Sequence, residues 1–158
     1  MKRATAILLG SVLLCSVAES QPTPFAQPQS GSGPNWSQMS LGNIMLLIQA
    51  RHAKIWYAGR AEDWSLLDYE LNHVSDDLTA AAMLYREIPV ELVTGADRHI
   101  ARMKEAARRR DAAGFQSAFS DLTSSCNACH AAGGVSFIHI QTPTAMPFTN
   151  QSIQSRGR

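Results

Sequence analysis

The sequence predicts an all-α protein, an antiparallel up-down-up-down four-helix bundle with a C-terminal extended tail, on three observations. Apolar residues recur at i, i+3, i+4 and i+7 in four successive runs between about residues 40 and 132. Short breaks holding Gly59, Asp63, Pro89 and Asp111 separate those runs. No strand-rich pattern precedes residue 126. The chain has 158 residues and 45% hydrophobic content, which suits one compact domain with tails.

The first helix is expected over about 40–58, with Leu41, Ile44, Met45, Ile48, His52, Ile55 and Trp56 on one stripe and Gly59 just past its end. The second begins after Asp63, a side chain suited to capping. It carries Trp64, Leu67, Leu71, Val74, Leu78, Ala81, Ala82 and Tyr85 inwards until Pro89 stops it. Its outer face reads as acidic, with Asp68, Glu70, Asp76 and Asp77. The third spans about 90–109 through Leu92, Val93, Ala96, Ile100, Met103 and Ala107, with Gly95 weakening its first turns. Its cations, Arg98, Arg102, Lys104, Arg108, Arg109 and Arg110, suit a helix C-terminus and the acidic face of the second helix. The fourth follows a cap at Asp111, buries Phe115, Ala118, Phe119 and Leu122, and ends at Gly133 and Gly134.

The flanks read differently. Residues 1–20 open with Lys2 and Arg3, continue through an apolar run and end in small residues, the pattern of a secretory signal peptide too short to be a good membrane span. A lipoprotein reading of Cys15 is opposed by the bulk of Leu14 before it. Residues 21–35 are rich in Pro, Gln, Ser and Gly, with Phe25 the single aromatic, and read as a disordered linker. The folded domain is expected over 36–134, from Trp36. Residues 135–140 are β-like, so the tail over 135–158 is expected to contain a short strand or an apolar strap across the bundle, with a loose end at Arg156, Gly157 and Arg158.

Near the end of the fourth helix stands Cys126-Asn127-Ala128-Cys129-His130. Two cysteines two residues apart with histidine next is the c-type haem attachment pattern, in which each thiol adds to a haem vinyl group and the imidazole takes one axial position on the iron. On a helix, residues three apart project from the same side, and the next residue turns its ring between them. A redox dithiol or half of a zinc site shares the Cys-x-x-Cys spacing. No second cysteine pair completes a four-sulfur site, and no thioredoxin-like strand pattern is present. The implied cofactor is one covalent haem c. Haem is attached to such motifs on the oxidising side of the bacterial inner membrane, so the signal peptide and the motif both place the mature chain in the periplasm. Formal charge is +1 and becomes near-neutral to slightly acidic without the leader, so nucleic acid is not an expected partner.

Four amphipathic helices with the motif near the end of the last resemble the class II c-type cytochromes, cytochrome c-prime and its low-spin relatives, over about residues 38–134. Class I cytochromes carry the motif near the amino terminus, and only 28 residues follow His130 here. Ala131-Ala132-Gly133-Gly134 stands where a tyrosine and a basic residue often follow the class II motif. In such a bundle the end of the fourth helix lies beside the first turns of the first. Met45, five residues past Ser40, is then about 7.5 Å along the axis and level with the haem, and His52 is roughly 10 Å deeper. Low-spin relatives place their methionine ligand in this part of the first helix, whereas five-coordinate members have an apolar residue there. Met45 and His130 are therefore the expected axial ligands, with His52, Met146 and His139 as other candidates for the distal place.

Trp56, Tyr57, Trp64, Tyr69, Phe115 and above all Phe119 are candidates to pack on the porphyrin, and Arg51 and Lys54 to pair with propionates. His73 and His99 read as surface or packing residues, Met83 and Met103 as core fillers. The function expected is one-electron transfer without catalysis, with redox proteins as partners. A homodimer is compatible with this, and stable membrane insertion of the mature chain is not expected. The alternative is a five-coordinate haem protein that binds nitric oxide or carbon monoxide. A peroxidase-like reading would use His52 as distal acid or base.

Overall fold

The computed structural model describes residues 39–154. The expected signal peptide and linker and Trp36 lie outside those residues, as does the extreme C-terminus. Four helices follow one another, α1 (Leu41–Arg60), α2 (Trp64–Leu84), α3 (Val90–Arg109) and α4 (Ala112–Ala132). Each packs on the next and together they form the expected antiparallel bundle, with α1 and α4 touching less than any two successive helices. Among the described residues there is no strand, and no helix is long and apolar enough to cross a membrane.

The helix starts follow from side chains that satisfy the first free N–H groups. Ser40 Oγ accepts from Asn43, Asp63 from Leu66 and Asp111 from Gly114. Pro89 opens α3 with no side-chain cap, its fixed φ already suiting the first turn. The ends are less orthodox. After α1 the N–H of Asp63 reaches the Ala58 carbonyl and that of Glu62 reaches Gly59; after α3 Asp111 reaches Ala106 and Arg110 reaches Ala107. These are Schellman closures whose left-handed residue is Glu62 (φ 56°) or Arg110 (φ 54°) rather than glycine.

Gly59 is therefore not the stop expected after α1. It lies inside the helix, where a Cβ would stand 2.2 Å from the Phe115 ring, so its bare backbone lets α4 approach α1. The core runs the length of the bundle through Ile44, Ile48 and Ile55, Leu67, Leu71 and Val74, Ile100 and Met103, and Phe115, Phe119 and Leu122.

Two expectations about charge are corrected. Glu70 and Asp77 are not on an outer face: they are 1% and 2% exposed and turned towards α1. There Arg51 holds both, at 2.9 and 2.8 Å, and Lys54 adds a contact to Glu70 at 3.3 Å. Two cations on α1 neutralise carboxylates that would be costly to bury alone. The basic helix α3 does not chiefly meet α2 through ion pairs either. Arg102 pairs with Asp121 of α4 and Arg108 with Glu105 of its own helix, while Lys104 reaches the neutral Asn72. Met83, expected in the core, is exposed.

Charge is also unevenly placed along the bundle. Residues 41–50, 78–85 and 122–154 contain no Asp, Glu, Lys or Arg. The first turns of α1, the last turns of α2 and α4, and the tail thus leave one end of the bundle nearly free of charge. Arg86 and Glu87 in the α2–α3 connection, with Glu91 at the start of α3, are the charged residues there.

The chain reverses after α4 through a glycine closure. The N–H of Val135 reaches the His130 carbonyl, that of Gly134 reaches Ala131, and Gly134 sits at φ 73°. Residues 135–138 form a turn, not the β-like segment expected, closed by Ile138 N–H on the Val135 carbonyl. The tail then returns along the bundle as a strap, with Ile153 against the core and Phe148 under Lys54 Nζ at 5.2 Å.

Candidate cofactor site

The charge-poor end of the bundle holds a cavity of about 380 Å³ with a mostly apolar lining. All four helices and the tail contribute: Leu41, Met45, Ile48 and His52 from α1, Leu78 and Ala81 from α2, Leu92, Val93 and Ala96 from α3, Cys126, Cys129 and His130 from α4, and Val135, Ile138 and Ile140 after it. That size lies within the range of about 300–1,000 Å³ usual for small-molecule and cofactor sites. The structure thus brings together Met45, His52, Cys126, Cys129 and His130, from opposite ends of the chain. Met45 is partly buried and packs on the core, one turn before Ile48.

Cys126 and Cys129 are both free thiols, three residues apart on the cavity side of α4. Burial pushes the Cys126 thiol up to about 11 and raises that of Cys129 as well. Their place in the last turns of a helix acts in the same direction, because the negative end of the helix dipole opposes a thiolate. A dithiol that works by exchange has the opposite setting, a helix N-terminus that lowers the thiol pKa. Among the described residues no group of three or more His, Cys, Asp or Glu could hold a metal ion by itself.

His130 Nδ1 lies 2.7 Å from the Ile138 carbonyl. A carbonyl only accepts, so Nδ1 carries a proton, and in the neutral ring Nε2 is then the nitrogen with the free lone pair. That tautomer is the one a metal-binding histidine adopts when its other nitrogen donates to backbone.

His52 is 5% exposed and its Nε2 lies 2.8 Å from Thr123 Oγ1. The Thr123 hydroxyl donates to the Phe119 carbonyl at 2.9 Å, so His52 donates from Nε2. Burial lowers its pKa to about 4, and the ring stays neutral at pH 7. It touches the cavity as a hydrogen-bonded core residue, and its Nε2 is already engaged.

The remaining candidates lie elsewhere. Met146 and His139 do not reach the cavity wall, nor do His73 and His99. Phe119 packs inside the bundle against His52, Trp56 and Phe115, with ring centroids 4.4 to 5.9 Å apart, and does not line the cavity. Arg51 and Lys54 are engaged with Glu70 and Asp77, and no Lys or Arg lines the wall, so neither is placed for a propionate.

One residue with no role expected from the sequence belongs to the site. Asn127, inside the motif, donates from Nδ2 to the Ile140 carbonyl and accepts the Ile140 N–H on Oδ1, both at 2.8 Å. An asparagine in a helix interior is a poor helix former, which is the one local signal that its side chain is used for something else. Neither a family model, nor a curated protein, nor a solved structure matches this chain.

Proposed function

We propose that the chain is an exported, periplasmic monohaem c-type cytochrome of the class II kind, an electron carrier rather than an enzyme. The observation that carries the reading is the convergence of Cys126, Cys129 and a His130 whose Nδ1 is engaged by a backbone carbonyl on one largely apolar cavity. The residues present fit haem c. The two thiols would hold the porphyrin through thioether bonds and His130 Nε2 would ligate the iron. Met45 of α1, which lines the same cavity, would supply a sulfur ligand. When bound, the group supplies an iron that changes oxidation state by one electron.

The chain's own residues do the rest. Ile48, Leu92, Val93 and Ala96 exclude water and lower the local dielectric. Burial keeps His52 neutral and Thr123 holds its Nε2, so the ring puts no buried charge beside the cofactor. Cys129 and His130 are only partly buried, which leaves an exposed edge for outer-sphere exchange with a redox protein.

Expression in a strain with the cytochrome c maturation system, followed by acid-acetone extraction and intact mass, tests the attachment. The haem mass stays on the chain, and loss of the haem to the solvent overturns the proposal. Met45→Ala then removes the far-red sulfur-to-iron charge-transfer band of the ferric protein and opens the iron to carbon monoxide. His52→Ala leaves the band in place. A wild-type protein that is already high-spin and takes up carbon monoxide readily replaces the electron carrier with a gas-binding haem protein.

A further inference from the structure

The tail after α4 carries the carbonyl that sets His130, and the tail is itself held by the motif. The two bonds of Asn127 to Ile140 use the whole side-chain amide on one backbone unit, 13 residues further along the chain. Asn127 and His130 are three apart on α4 and so lie on the same side, about 4.5 Å apart along the axis. Ile140 and Ile138 are two apart in the returning tail, so the pairs 127 with 140 and 130 with 138 are successive rungs of one antiparallel alignment. Among the described residues these are the side-chain hydrogen bonds that tie the tail to a helix; further along, Phe148 under Lys54 and Ile153 against the core also hold it. A slip of one residue would carry the Ile138 carbonyl away from the imidazole, because each residue displaces the chain by about 3.8 Å from one Cα to the next.

We propose that Asn127 is a positioning residue for His130: by clasping Ile140 it sets the register of the tail, which keeps the Ile138 carbonyl on Nδ1 and so fixes the tautomer and orientation of the imidazole. The ligand role of His130 rests on the function proposed above, whereas the clasp does not. A histidine ligand whose second nitrogen donates to a fixed carbonyl is a stronger donor, and outer partners of this type are worth about 10- to 100-fold in metal affinity. A stronger donor favours the ferric iron. Release of the carbonyl therefore raises the reduction potential, by about 59 mV for each tenfold in a one-electron couple.

The test compares wild type, Asn127→Ala, Asn127→Asp and Phe148→Ala in the full chain with and without haem. In the haem-free chain, Asn127→Ala speeds exchange of the Ile140 amide and converts His130 from the single Nδ1–H tautomer to a mixture, read from its imidazole nitrogen shifts. Asn127→Asp, which keeps the acceptor and loses the donor, gives a smaller change. In the haem-loaded protein the potential rises in the order wild type, Asn127→Asp, Asn127→Ala. Phe148→Ala loosens the tail away from the clasp and leaves both readouts at their wild-type values. A His130 tautomer that survives release of the Ile140 amide overturns the proposal, as does an unchanged potential in loaded Asn127→Ala protein. If no haem is retained at all, the function proposed above fails and the tautomer measurement alone decides the role of Asn127.

Discussion

Gly59 is where a single hydrogen atom decides the distance between two helices. An alanine there would drive its methyl into Phe115 at 2.2 to 2.5 Å, far inside contact distance. Gly59→Ala is expected to destabilise the fold by about 1–3 kcal/mol, the usual range for overpacking, despite the better helix propensity of alanine. Urea unfolding checks this, and Phe115→Leu in the same chain should recover part of the loss. His52 makes the fold sensitive to acid. Its folded pKa, about 4, lies below the ordinary 6.5 because burial disfavours the charged ring. Below pH 6.5 the unfolded chain takes up a proton that the folded one refuses, so stability is fully present above that pH and falls as pH drops towards 4. Each tenfold weakening of proton affinity is worth about 1.36 kcal/mol, so the loss comes to roughly 3 kcal/mol. Unfolding midpoints at pH 7 and about pH 4.5 measure it, and His52→Gln should flatten the difference.

Among the elements, the pairing of α1 with α2 carries the largest electrostatic stake. Arg51→Leu would leave Asp77 buried without its cation and Glu70 with Lys54 alone, a loss of about 3–5 kcal/mol by analogy with other broken buried pairs. Denaturant melts of the variant at neutral pH test this; a change under about 1 kcal/mol would mean that water reaches these carboxylates. The same cluster marks what the sequence could and could not disclose. Asp63 and Asp111 announced the starts of α2 and α4 because a cap is a local bond between neighbours. The helix number and order, and the site residues Met45, Cys126, Cys129 and His130 on one end, followed from periodicity and antiparallel packing. Glu70 and Asp77 misled because an acidic side chain goes inside only when another helix supplies its cation, and Arg51 is 19 and 26 residues away. Glu62 hid the true end of α1 because a left-handed closure is normally read from glycine, whereas α3 ends at Arg109 as its periodicity indicated. The apolar pattern at 135–140 announced a strap, but the clasp by Asn127 depends on a chain reversal that no local pattern encodes.

For the whole molecule, the distribution of formal charge sets how it would meet its reagents. The cavity end holds few ionised side chains, so the negative charge there in the loaded protein would come from the cofactor's own propionates together with Glu87 on the wall and Glu91 nearby, with no lysine or arginine on the wall to cancel it. The field at the exposed edge would then be that of a small anion set in a neutral surface. Such a field steers encounters only within a screening length, about 10 Å at 0.1 M salt. Tris-phenanthroline cobalt, a cation, should exchange electrons with the protein faster at low salt than at high salt, and ferricyanide the reverse, so that the two rates converge as ionic strength rises. Stopped-flow traces with each reagent between 0.01 and about 1 M salt, where the screening length falls from about 30 to 3 Å, read this directly. With so few fixed charges near the edge, a natural partner would gain little speed from long-range attraction. Its association would depend instead on short-range fit and on how much water the two surfaces release when they meet.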